Sequence, residues 1–164
     1  MAEGKEVARD GRNETKDEQL DRNWAELLQE LRVMQTGTQI ISGFLLTLPF
    51  QQRFAQLAQL EKTFYVVLVL LAAVATGLML VPVGLHRRLF RQHVKEKLVA
   101  NGDRISKAVL ACVALLISGS ASLVVDVVAG RATALVIGVA LLLLMAVLLL
   151  LFPLSVARSQ PDKA

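Results

Sequence analysis

Arg32, Gln35 and Gln39 stand at i, i+3 and i+7 in ELRVMQTGTQIISG, a spacing that sets all three on one side of a helix. A guanidinium and two amides in an apolar stretch can hydrogen-bond a neighbouring helix or line a polar path. They supply no nucleophile. An unpaired amide in lipid costs several kcal/mol, so this stripe is expected to face a bundle interior, with partners near Ser106 or His86. Asp126 is the one carboxylate expected near membrane depth on the side away from the basic residues. It falls at a helix C-terminus, where the macrodipole disfavours an anion, so an ion pair with Arg131 or Arg53 is expected. An acid at that depth is also how proton- and cation-coupling paths are marked.

Other reactive types are sparse. His86 and His93 could share a helix face, but only Glu96 stands near as a further ligand, so no metal site is expected. Cys112 is the single cysteine, which excludes an intrachain disulfide and a thiolate metal cage. No Gly-rich phosphate loop, nucleophile elbow or Ser/His/Asp set occurs. The expectation is a protein without cofactor that is not an enzyme.

The densest charge lies in HRRLFRQHVKEKLVANGDRISK, residues 86–107. Arg87, Arg88, Arg91 and Lys95 would contact lipid headgroups, where each basic residue is worth about 1 kcal/mol near an anionic surface. Nucleic acid would also want such a cluster. This one is tethered between two apolar runs, which holds it at a membrane surface, so anionic lipid is the expected partner and nucleic acid is not.

The elements that must position these residues follow from composition. The 164 residues are 54% hydrophobic and 20% charged, with a mean hydropathy of +0.53. Soluble domains are less apolar and more charged. The apolar residues fall into four runs near the ~20 residues that a helix needs to cross a bilayer, at about 33–50, 63–85, 105–125 and 132–152. The expected fold is all-α: a four-transmembrane-helix bundle over residues 23–153, between a disordered tail of residues 1–22 and a short C-terminal tail of residues 154–164.

Details refine that plan. Asn23 with Glu26 reads as an N-cap pair opening the first helix, and Trp24, Leu27, Leu28 and Leu31 make its extension amphipathic. Pro82 predicts a kink near the end of the second span. Asn101-Gly102 predicts a break, with Asp103 capping the next helix. Ala114, Ser118 and Ser122 give the third span a small face suited to close helix packing. DVVAGR predicts a tight turn into the Leu-rich last span, whose run from Leu141 to Leu151 suits lipid.

Orientation follows from the basic residues. Fifteen of the 18 Lys and Arg residues fall on one side of this arrangement, and only Arg53, Lys62 and Arg131 on the other. The positive-inside rule then predicts a multi-pass protein of the inner (plasma) membrane with both termini cytoplasmic.

NWAELLQELRVMQTGTQIISGFLLTLPFQQRF, PVGLHRRLFRQHVKEKLV and DVVAG resemble a family of uncharacterised four-span bacterial membrane proteins common among actinobacteria. The resemblance covers roughly residues 23–153. It implies a four-helix membrane architecture and a recurrent place for Glu26, Glu30, Arg32, Gln35, Thr36, Gly37, Gln39, Pro82, His86, Arg87 and Asp126. It implies no activity.

Two functional expectations stand. One is a non-enzymatic membrane protein that self-associates as a homo-oligomer or binds a partner, and holds anionic lipid through its basic loop. The other is a small transporter or channel whose polar path begins at Arg32, Gln35 and Gln39.

Overall fold

A computed structural model describes residues 15–89, 95–151 and 154, with side chains at these positions except 17, 86–89 and 95–100. Among the described residues the chain is all-α, and no strand occurs. Its helices are α1 (Lys16–Thr47), α2 (Gln59–Leu89), α3 (Lys95–Ala129) and α4 (Arg131–Ala146). Two 3-10 turns, Leu48–Phe50 and Gln52–Gln56, connect α1 to α2, and a π-helical turn, Val147–Leu151, extends α4.

α1 starts earlier than the sequence suggests. Its opening is a capping box: the Thr15 N–H and hydroxyl each donate to Glu18 Oε2 at 2.8 Å, and the Glu18 N–H faces Thr15 Oγ1 at 3.4 Å. Residues 16–22, expected to be disordered, are therefore helical. Glu26, expected to cap Asn23, instead accepts from Arg22 Nη1 at 3.3 Å along one helix face. α2 opens with half of such a box, the Ala58 N–H donating to Glu61 Oε2 at 2.7 Å.

Three stretches are long and apolar enough to cross a membrane: Gln59–Leu85, Asn101–Ala129 and Arg131–Leu151. The expected first span is not among them. At ~1.5 Å per residue, the 32 residues of α1 are long enough. Arg32, Gln35, Thr36, Thr38 and Gln39 keep its composition too polar.

The chain forms two compact units, Met1–Thr38 with Val74–Leu110, and Gln39–Ala73 with Ala111–Ala164. In the first, Trp24, Leu27 and Leu31 of α1 are buried, as are Ala75, Met79 and Pro82 of α2 and Ser106 and Val109 of α3. Gly102 explains part of this packing. A Cβ there would lie 2.9 Å from Leu27 Cδ1 and 3.1 Å from Trp24 Cζ3, so the glycine admits a close approach of α1 to α3. The expected break at Asn101-Gly102 does not occur, because α3 runs through it. Asp103 accepts from Lys107 Nζ at 2.6 Å rather than capping a helix.

In the second unit, Leu45 of α1, Tyr65, Leu68 and Ala72 of α2, Ala114, Leu116, Ser118 and Leu123 of α3, and Ala134 of α4 are buried. The expected small face of α3 is at work here. Ser122 Oγ donates to the Ala134 carbonyl at 2.9 Å, and a Cβ on Gly119 would lie 2.5 Å from Leu68 Cδ2. Gly130, with φ of 84°, makes the turn into α4 in a conformation that favours glycine. Leu142, Leu143, Leu144 and the Val147–Leu151 turn are exposed.

Buried positions recur at alternating steps of three and four. On α2 they are Tyr65, Leu68, Ala72, Ala75, Met79 and Pro82. On α1, Trp24, Leu31, Thr38 and Leu45 repeat every seventh residue. That period is the one at which helices pack along a left-handed seam.

Candidate functional site

The side of α1 that turns inward is not the polar stripe. Trp24, Leu31, Thr38 and Leu45 take the buried positions, and one residue of helix is about 100° of turn. In the first unit Arg32 is therefore exposed and Gln35 half-buried; in the second unit Gln39 is exposed. The expectation that the stripe faces the interior is corrected for Arg32 and Gln39. Close packing of Trp24, Leu31, Thr38 and Leu45 along the heptad seam sets the rotation of the helix, and the amides follow. No hydrogen bond from the Gln35 or Gln39 side chain is formed among the described residues, so the expected partners at Ser106 or near His86 are not engaged.

Around Gln39 the surface of α1 is low. Gly43, one turn on, is exposed and would meet nothing within 4 Å if it carried a Cβ. Leu46, a further three residues along, is 59% exposed. Gln39, Gly43 and Leu46 thus present an amide, a gap and an apolar side chain in sequence on one side of the helix.

The polar groups that are buried differ from those singled out by spacing. Thr38 Oγ1 in the first unit is buried with no hydrogen-bond partner, as are the hydroxyls of Ser42, Ser118 and Ser120 in the second. Each hydroxyl is a hydrogen-bond donor and acceptor that does not ionise at neutral pH. The seven-residue repeat through Thr38 was the signal in the sequence that would have found it.

At the end of the second unit, Asp126 is half-buried while Arg53 and Arg131 are exposed. The ion pair expected among them is not formed among the described residues. α3 runs on past Asp126 to Ala129, and the main-chain carbonyl of Asp126 accepts from the Gly130 N–H at 3.0 Å to close the helix. Arg53 lines an apolar cavity of about 230 Å³ with Phe44, Leu48, Phe54, Val124 and Val128.

Arg87 and Arg88 lie in the last turn of α2 and Lys95 opens α3, but their side chains, and Arg91 and His93 altogether, lie outside the described residues, as do the side chains of His86 and Glu96. Among the described residues no three His, Cys, Asp or Glu side chains gather as a metal would require. Cys112 is a half-buried free thiol on α3.

No curated protein and no solved structure shows a significant match to the chain. A family model does match, over residues 13–153, a range that takes in all four helices and the Thr15–Glu18 capping box that opens the first. The chain therefore belongs to the family described as "Family of unknown function (DUF6328)".

Proposed function

We propose that this is a four-span bacterial plasma-membrane protein with cytoplasmic termini, one that acts without catalysis by associating with a second copy of itself and holding anionic lipid. Three apolar spans alone would leave the two tails on opposite sides of the membrane. The distribution of Lys and Arg argues that both tails and residues 86–107 share one side, which takes an even number of crossings. α1 supplies the fourth, its more apolar half running from Val33 to Thr47 and continuing through the Leu48–Phe50 turn.

Gln39 carries the association reading. It stands eight residues before the end of α1, so at ~1.5 Å per residue it lies about 12 Å inside the span. An exposed amide there has neither water nor, among the described residues, a protein partner. Left so, it would cost several kcal/mol. A second Gln39 cures this, since an amide is both donor and acceptor and two can pair reciprocally. A two-fold axis along the membrane normal brings each residue of α1 opposite itself, and the gap at Gly43 lets the backbones close.

The transport reading asks Arg32, Gln35 and Gln39 to line an interior path. The exposure of two of them favours association instead. Arg87, Arg88, Arg91 and Lys95 retain the proposed role of contacting anionic headgroups.

The test is subunit counting by native mass spectrometry of the full chain released from detergent. The wild type should be a dimer. Gln39→Leu should shift the population toward monomer by roughly eightfold, the value of two interhelical hydrogen bonds at ~0.6 kcal/mol each in bilayers. A wild type that is monomeric at every concentration would refute the reading.

A further inference from the structure

We propose that the cavity beside Arg53 is a binding site for one acyl chain of an anionic amphiphile, part of the chain lying in the cavity and the guanidinium holding the headgroup. The site falls wholly within the second unit, where α1 gives Phe44 and Leu48, the connecting turn Phe54 and Leu57, and α3 Val124 and Val128. The cavity is walled almost wholly by hydrocarbon. Its volume of about 230 Å³ is below the ~300–1,000 Å³ of pockets that enclose a drug-sized ligand. Part of one alkyl chain fills it, the rest leaving by the open side; a whole phospholipid does not fit.

The wall is built rather than fortuitous. Phe54 meets the Tyr65 ring edge-on at a centroid separation of 5.0 Å and 78°, and Tyr65 is itself buried. That contact holds the connecting turn, and with it Arg53, against the cavity.

Arg53 is the one charged residue among the described lining residues. No anion of the chain engages it among the described residues. Glu61, the nearest acid in sequence, is taken up by the Ala58 N–H. Asp126 is not among the lining residues, since Leu123, Val124, Val127 and Val128 take that side of α3. A guanidinium forks onto a carboxylate or a phosphate alike, and its stem can lie along the apolar wall below. An apolar lining and a single lining cation together specify the amphiphile.

The experiment uses the full-length protein, delipidated in a non-ionic detergent and mixed in separate arms with oleic acid, oleyl alcohol, dioleoyl phosphatidylglycerol or dioleoyl phosphatidylcholine. Native mass spectrometry counts the molecules retained per chain. The wild type should retain one oleate or one phosphatidylglycerol about fivefold better than the uncharged or zwitterionic counterpart, as one basic residue at a membrane surface allows. Arg53→Gln, which changes an exposed side chain and leaves residues 86–107 intact, should lower retention to the neutral level. Val124→Trp should fill the cavity and abolish retention in every arm. Preference for oleate assigns the head to a carboxylate, and preference for phosphatidylglycerol assigns it to a phosphate. Equal retention of oleate and oleyl alcohol, or wild-type retention by Arg53→Gln, would overturn the site. Neither result would touch the dimer, which does not use Arg53.

Discussion

Gly138 of α4 and Ser122 of α3 approach so closely that a Cβ on the glycine would lie 2.9 Å from both Cβ and Oγ of the serine. The serine uses the proximity, its hydroxyl donating to the Ala134 carbonyl one turn earlier at 2.9 Å. In lipid, where helices gain little from hiding apolar surface from one another, a small residue facing a hydrogen-bonding one is how contact is secured. Gly138→Val should therefore cost about 1–3 kcal/mol through overpacking. Ser122→Ala should cost only ~0.6 kcal/mol. Unfolding equilibria in bicelles would separate the two, and equal losses would mean that the hydrogen bond matters as much as the fit.

A second close approach joins Gly102 to Trp24 and Leu27. Gly102→Leu should force α3 away from α1, and Trp24→Ala should open a cavity on the same seam, at a cost of about 3–5 kcal/mol for a buried tryptophan. Hydrogen exchange over residues 16–31 should rise in both variants and leave residues 111–129 unchanged. Unchanged exchange over residues 16–31 in both would show that this seam does not hold the start of α1.

Those contacts mark what could be read from the chain and what could not. The apolar runs announced α2, α3 and α4, and DVVAGR announced the turn at Gly130, because composition and glycine act locally. The start of α1 was hidden, since Thr15 and Glu18 lie in a charged segment whose composition suggests disorder. Gly102 was misleading for a related reason. Glycine after asparagine favours a turn, yet against Trp24 and Leu27 it serves as clearance. The stripe of Arg32, Gln35 and Gln39 was visible as a stripe, but spacing relates residues to one another and not to a core. Only the seven-residue repeat of Trp24, Leu31, Thr38 and Leu45 says which side turns in.

The orientation is open to direct labelling. In a Cys112→Ser background, single cysteines placed at Gln56, Asn101 and Ser155 should differ in access. An impermeant thiol reagent added to intact cells should modify only the variant at Gln56, as expected for a connection that carries few basic residues. Modification at Asn101 from outside would reverse the arrangement.

The central claim is that Gln39 meets its own copy across a two-fold axis, and disulfide trapping in membranes reads this distance. In the Cys112→Ser background, Gln39→Cys should form a covalent dimer under mild oxidation, because Cα atoms about 5–7 Å apart can be bridged. Val136→Cys, at an exposed position on α4, serves as the control and should stay monomeric. Efficient trapping of Gln39→Cys alone is the predicted result. Trapping of both variants equally, or of the Val136→Cys control alone, would contradict the account.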